Sequence, residues 1–142
     1  MKLIDLNILL YAVNADAVPH RRAQAWLQAT VAGDEPVAMA WVGLLGFLRL
    51  ATSGRALPRP LSLDDAASVV DWLLDEAGVQ VLHPGSEHWR ILRGLLSETG
   101  TAGNLTTDAH LAALAIENGA ELCSTDGDFS RFRALRWSNP LR

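Results

Sequence analysis

Lys2-Leu3-Ile4-Asp5-Leu6-Asn7-Ile8-Leu9-Leu10 begins one residue into the chain, and a single carboxylate within it decides the reading. Leu3 and Ile4 precede Asp5, and Leu6, Ile8, Leu9 and Leu10 follow it, so a charged group stands inside an apolar run. A buried, unpaired carboxylate is costly. The remedies are a cationic partner, a raised pKa that neutralises the acid, or a divalent ion shared with other oxygens. Three further aspartates, Asp108, Asp126 and Asp128, also border apolar or helix-starting segments, which makes metal the leading remedy. Lys2 to Asp5 reads as a short buried strand and Asn7 to Val13 as a helix directly after it. Asp5 is thereby delivered to a strand end.

Working outward, Pro19 precedes a helical stretch to about Ala32, with Ala23, Trp26, Leu27 and Thr30 at spacings of three and four. Gly33-Asp34-Glu35-Pro36 stops it. Ala38 to Ala51 is apolar nearly throughout. Its length permits either one buried helix or a strand leading into a shorter helix, and the helix is the reading adopted. Pro58 and Pro60 mark a loop, Ser62 resembles an N-cap with Asp64 and Asp65 behind it, and that helix runs to about Ala77 before Gly78. Val79 to Leu82 reads as a strand, and Pro84-Gly85 opens a helix through Trp89, Leu92 and Leu96. Leu105 to Asn118 is the next helix, Leu122 to Ser124 a short strand, and Trp137 part of a last one. Strands separated by helices favour a parallel sheet covered on both faces, with ligands outside the carboxyl ends of its strands.

A chain of 142 residues is expected to form one domain, residues 1–142, burying roughly two thirds of its unfolded surface. With 49% hydrophobic and 20% charged residues, no linker, repeat or low-complexity tract stands out. Asp5, Asn7 and Asn14 interrupt any secretory apolar region, and no apolar stretch approaches the ~20 residues of a membrane span. A cytoplasmic protein is expected. Cys123, the single cysteine, excludes an intrachain disulfide and reads as core packing.

The net charge of −4 is unpromising for phosphate binding, which draws on Lys and Arg. Of 16 acids, however, four belong to the proposed site, and the twelve that remain balance the 12 basic residues. The deficit is then local, and bound metal offsets part of it. All the basic residues but Lys2 are arginines, the better bidentate phosphate ligands; ordinary residue usage explains that bias equally well.

Asp108 lies in the first turn of its helix, behind the candidate caps Thr106 and Thr107, where the helix dipole favours a carboxylate. It also shares a face with Leu111, Ala112 and Ala115, which turns it along the buried stripe. Asp126-Gly127-Asp128 follows the final apolar strand, and alternate residues there direct two carboxylates toward one place. Alone, each motif has a structural explanation. Together, three separate segments bring acids to one edge of a parallel sheet. An oxygen-only carboxylate cluster suits Mg²⁺, with Mn²⁺ as substitute, and phosphodiester hydrolysis by ion-activated water. His20, His83, His88 and His110 show no paired zinc spacing. His110 shares the helix of Asp108, but a surface or satisfied core position is the simpler reading.

The opening segment through Tyr11-Ala12, together with Asn104-Leu105-Thr106-Thr107-Asp108-Ala109-His110-Leu111-Ala112 and Cys123-Ser124-Thr125-Asp126-Gly127-Asp128-Phe129, resembles the PIN domain, specifically the VapC-type ribonuclease toxins of bacterial toxin–antitoxin pairs. The resemblance spans the chain. It implies a three-layer α/β/α sandwich around a parallel sheet and an Mg²⁺-dependent endoribonuclease acting on RNA. The site would be Asp5, Asp108, Asp126 and Asp128, the first three binding metal. Homodimerisation and neutralisation by a small cognate antitoxin are implied as well.

One departure stands out. VapC-like proteins carry a glutamate three residues before an arginine in the helix that here reads Trp41 to Arg49; Arg49 fits, but the glutamate position is Gly46. A carboxylate is missing, which leaves open a non-cutting module that binds RNA or an antitoxin. Asn7 is expected to support Asp5 or to start a helix, and Arg49 to pair with a site carboxylate. Arg55, Arg59, Arg131, Arg133 and Arg136 read more simply as solvated surface than as RNA contacts. Trp26, Trp41, Trp72 and Trp89 read as packing against the core or a dimer partner. Phosphotransfer folds with aspartates at strand ends are disfavoured, because Asp5 lacks an acidic neighbour and Lys2 is the only lysine.

Overall fold

The computed structural model describes residues 1–142. Five parallel strands, β1 (Lys2–Ile4), β2 (Val37–Ala40), β3 (Gln80–Leu82), β4 (Glu121–Cys123) and β5 (Trp137–Ser138), form one sheet in the order β3-β2-β1-β4-β5. The chain builds outward from β1 to β2 and β3, then crosses back to lay β4 on the other side of β1. The strand order therefore reverses between β1 and β4, the place where open α/β sheets bind ligands.

Six helices cover the sheet: α1 (Leu6–Val13), α2 (His20–Ala32), α3 (Trp41–Ala51), α4 (Leu63–Asp71), α5 (His88–Thr99) and α6 (Thr106–Glu117). Strand side chains alternate between two separate cores. Ile4, Val37, Met39 and Cys123 pack with residues of α1 to α4, while Leu3, Ala38, Ala40 and Leu122 pack with α5, α6 and Phe129. The sheet is thus the middle layer of an α/β/α sandwich, as expected. No helix is long and apolar enough to cross a membrane.

The segment Ala38–Ala51, expected to be one buried helix, divides instead into β2 and α3. All four β2 residues are buried, because the strand lies between β1 and β3 with both faces covered. Such a strand shows no polar alternation, so its sequence mimics a core helix. Its ladder holds it extended, with Lys2 N–H donating to Pro36 C=O at 2.9 Å and Ala38 in register with both Leu3 and Gln80.

Other boundaries shift for local reasons. Ser62 does cap α4, its Oγ accepting the Asp65 N–H at 3.1 Å. The helix then widens into a π-turn over Trp72–Glu76, in which Ala77 N–H reaches Trp72 C=O at 2.8 Å. Helix α5 starts at His88 rather than Pro84, because the Glu117 carboxylate takes the Gly85 and Glu87 N–H groups at 2.8 and 3.0 Å. Those donors are held outside the helix. Neither Thr106 nor Thr107 caps α6: both lie inside its first turn behind a 3₁₀ turn, Gly103–Leu105, and Thr106 Oγ1 donates back to Gly103 C=O at 2.8 Å.

Trp26 and Trp72 pack, half-buried, against the α1–α4 core. Trp41 and Trp89 do not join either core, being 46% and 64% exposed. Each stands in the first turn of its helix, so packing against the chain's own core does not hold for these two. Cys123 is fully buried, and burial pushes its thiol pKa up to about 11.

Candidate active site

Every one of the four aspartates follows from an element boundary. Asp5 is the first residue past β1 and the N-cap of α1. Its N–H still continues the sheet ladder to Cys123 C=O at 3.0 Å, so the strand fixes its backbone. Asp126 lies three residues past β4 and caps the 3₁₀ turn Gly127–Arg131, its Oδ1 accepting the Asp128 N–H at 2.9 Å. Asp108 arrives from the first turn of α6. The carboxyl ends of β1 and β4 and the start of α6 thereby converge at the switch point of the sheet.

Asp5 is 7% exposed, and both of its carboxylate oxygens are engaged. Oδ1 accepts the Leu6 N–H at 2.7 Å, while Oδ2 accepts the Ser124 hydroxyl at 2.7 Å and the Asn7 amide at 3.2 Å. Burial raises its pKa above the ordinary carboxylate value; the Ser124 and Leu6 hydrogen bonds oppose that rise and the charge of Asp126 adds to it. Asp108, Asp126 and Asp128 each offer an oxygen within 4.8 Å of the others. Asp5 stands just outside that trio, whereas Asp128, expected only to assist, belongs to it.

The site is electrostatically unbalanced. Burial, followed by repulsion from Asp126, Asp5 and Asp128, pushes the Asp108 pKa from 3.8 to about 6. Among these acids only Asp128 has a basic neighbour, Arg131 at 3.8 Å on the surface, a pairing of little energy. The expected ion pair of Arg49 is absent: its side chain is exposed at the solvent end of α3 and has no acid within ion-pair distance. The apolar character of α3 is spent on the core and does not carry Arg49 inward. Uncompensated carboxylates that offer oxygen only fit a hard divalent cation such as Mg²⁺ or Mn²⁺. A zinc-type nitrogen or sulfur donor is not among them.

The Asn7 amide donates to Asp5 Oδ2 at 3.2 Å and to Ser124 Oγ at 3.0 Å. His110 pairs with His88: its Nδ1 lies 2.9 Å from Nε2 of His88, and burial and His88 lower its pKa. Gly46 faces Leu6, and a Cβ there would sit 2.8 Å from Leu6 Cδ2. A side chain at this position would require the end of the Leu6 side chain to shift. Arg59 is taken up by Asp16 at 2.9 and 3.1 Å, Arg133 approaches Glu98 at 3.8 Å, and Arg136 donates to Gly119 C=O. Arg55 is exposed.

Ser124 is the residue the sequence reading passed over. It is fully buried, and its Oγ also accepts the Asp126 N–H at 3.0 Å. The available signal was a hydroxyl ending an apolar strand two residues ahead of Asp126.

A doubly covered parallel sheet with a carboxylate cluster at its switch point defines an α/β protein with a candidate cation site. Residues 2–135 match the PIN domain family, and the chain belongs to it. It is 47% identical over 142 residues to "Ribonuclease VapC33" of Mycobacterium tuberculosis, covering 100% of this chain and 99% of the relative. It is 45% identical over 141 residues to "Ribonuclease VapC37" of the same species, covering 99% and 97%. Among solved structures, VapBC-1 from nontypeable Haemophilus influenzae superposes with a TM-score of 0.69 at 16% identity, covering 99% of this chain and 98% of that one. VapC20 of Mycobacterium tuberculosis, described as a sarcin-ricin loop cleaving toxin, superposes with a TM-score of 0.67 at 20% identity, covering 96% and 99%.

Proposed function

We propose that this chain is a divalent-cation-dependent endoribonuclease and the toxin half of a toxin–antitoxin pair. The observation that carries the reading is the trio Asp108, Asp126 and Asp128, within 4.8 Å of one another beside buried Asp5 and with one weak basic neighbour among them. Likeness to proteins named ribonuclease VapC supports RNA as substrate, and likeness to VapBC assemblies supports an antitoxin partner.

Asp108, Asp126 and Asp128 hold the cation, and Asp5 adds its charge from the buried side. A bound Mg²⁺ or Mn²⁺ supplies a more acidic water and neutralises charge on a phosphodiester. The protein's own contribution is to gather acids that repel each other and to keep them in place. Asp108, with its raised pKa, is the group through which proton and cation compete. One PIN unit over residues 1–142, a homodimer and a cytoplasmic location complete the proposal. Cleavage of RNA by purified protein with added Mg²⁺ or Mn²⁺, lost in Asp126→Asn, tests it.

Gly46 favours a second reading, a module that binds RNA or antitoxin without cutting. The Leu6 side chain lies against Gly46, and no carboxylate is offered from this position. Cation-dependent turnover by the wild-type chain excludes that reading; RNA binding without turnover supports it.

A further inference from the structure

We propose that Arg131 takes hold of the RNA phosphate at the acid site, exchanging a loose contact with Asp128 for a bidentate one with the substrate backbone. The inference rests on the reading of the acids as a nuclease site and adds to it the one basic side chain beside them.

A site made of acids has a difficulty with a polyanion. Four ionised aspartates outweigh one divalent ion by two charges, so Asp5, Asp108, Asp126 and Asp128 still repel a phosphodiester when a single cation is bound. Affinity for RNA then needs a cation from the protein. The arginines that follow in the chain are committed elsewhere: Arg133 approaches Glu98 at 3.8 Å, and Arg136 donates to Gly119 C=O. Arg131 is not committed in that way. Its Nε lies 3.8 Å from Asp128 Oδ1, beyond hydrogen-bonding distance, and the two side chains are 57% and 54% exposed. A guanidinium carries five N–H donors in a planar fork, and this contact satisfies none of them.

The backbone beneath that free head is fixed. Asp126 caps the 3₁₀ turn Gly127–Arg131 by accepting the Asp128 N–H at 2.9 Å, Ser130 Oγ donates to Gly127 C=O at 2.8 Å, and Phe132 N–H reaches Phe129 C=O at 3.2 Å. Phe129 and Phe132 are buried in the core under α5 and α6, with ring centres 6.3 Å apart, and pin the middle and the end of the turn. Residues three apart eclipse in such a turn, so Arg131 rises on the same side as Asp128. One short turn thereby sets two acids of the trio and a guanidinium at fixed spacing. An exposed ion pair holds little energy, whereas arginine grips phosphate through two parallel N–H···O bonds. When Asp128 gives its oxygens to a cation, Arg131 loses its partner and the phosphate becomes the better one.

The experiment compares full-length wild type, Arg131→Ala and Arg131→Lys in three measurements: binding of a labelled tRNA pool in Ca²⁺ by fluorescence anisotropy, cleavage of the same pool in Mg²⁺, and Mn²⁺ titration without RNA by electron paramagnetic resonance. Arg131→Ala is expected to bind RNA about tenfold to a hundredfold more weakly, the range for one charge-assisted pair, with kcat/KM falling alike. The slope of log affinity against log salt should shrink by about 0.7 to 0.9, the share of one phosphate contact. Mn²⁺ affinity should not fall, because the removed charge opposed the ion. Arg131→Lys, charged but without the fork, should keep the salt slope and recover only part of the affinity. RNA affinity and salt slope equal to wild type in Arg131→Ala overturn the proposal. So does Mn²⁺ affinity that falls together with RNA affinity, which would assign Arg131 to arranging the acids. Should wild type bind the pool and leave it uncut in every metal, the nuclease reading fails while weaker binding by Arg131→Ala still supports the phosphate contact. Wild type that neither binds nor cuts the pool overturns both.

Discussion

Replacing Asp108 by Asn should stabilise the metal-free protein at neutral pH. The folded state raises the Asp108 pKa from 3.8 to about 6, so the native protein binds more protons than the unfolded chain between those values. Stability from this group is fully present below pH 3.8, declines as pH rises toward 6, and stays lost above it. A rise of about two pH units corresponds to a ceiling of about 3 kcal/mol at ~1.36 kcal/mol per unit. The carboxylate is half-exposed, and solvent screening reduces that to about 1.5 kcal/mol. The α6 dipole, which favours the charge, removes a few tenths more. For a chain of this size the gain is about 3 to 5 °C in melting temperature. Thermal melts of wild type and Asp108→Asn in EDTA at pH 4, 7 and 8 measure it: the variant should melt higher at 7 and 8 and equal wild type near 4. Adding Mn²⁺ should reverse the order at pH 7, because only wild type keeps the full set of ligands. A variant less stable than wild type in EDTA at pH 7, or a gain independent of pH, refutes the reasoning.

The remaining predictions concern the frame. Gly85→Ala places a Cβ 2.5 Å from Glu117 Oε2 and should destabilise by about 1 to 2 kcal/mol in urea, comparable to Glu117→Ala, because either change loses the same two hydrogen bonds. The double variant should cost far less than the sum, and additivity would show that the clamp is not shared. Cys123, fully buried with its pKa up at about 11, should resist a thiol reagent at pH 8 until denaturant is added; stoichiometric labelling of native protein contradicts that burial. Arg49→Ala should alter stability by less than about 0.5 kcal/mol, since no acid lies within ion-pair distance of Arg49. A larger loss would reveal a partner.

Legibility in the sequence followed how local each signal was. Asp5 was readable because a carboxylate amid Leu3, Ile4 and Ile8 contradicts its neighbours, and Asp126-Gly127-Asp128 because it ends an apolar strand. The sheet, the alternation of strands and helices, and the closing strand at Trp137 followed from short apolar runs between breakers. Strand β2 was not readable in the same way: Val37 to Ala40 and the α3 residues are both continuously apolar, and only pairing with β1 and β3 separates them. The late start of α5 depends on Glu117, some thirty residues away, which no local pattern carries. Ser124 lies in the segment Cys123 to Phe129, yet its bonds to Asp5 and Asn7 reach residues more than a hundred positions away, which no local pattern carries. Arg49 failed for the opposite reason, since an apolar helix suggested burial that its outer face does not have.

The central claim is that Asp108, Asp126 and Asp128 hold the cation with which the chain cuts RNA. The direct test incubates total RNA, including a full tRNA pool, with purified protein in Mg²⁺ or Mn²⁺ beside an Asp126→Asn control of matched fold. Discrete fragments from wild type, none from the control and none in EDTA is the predicted result. Intact RNA under every metal condition, or equal cleavage by the control, contradicts the account.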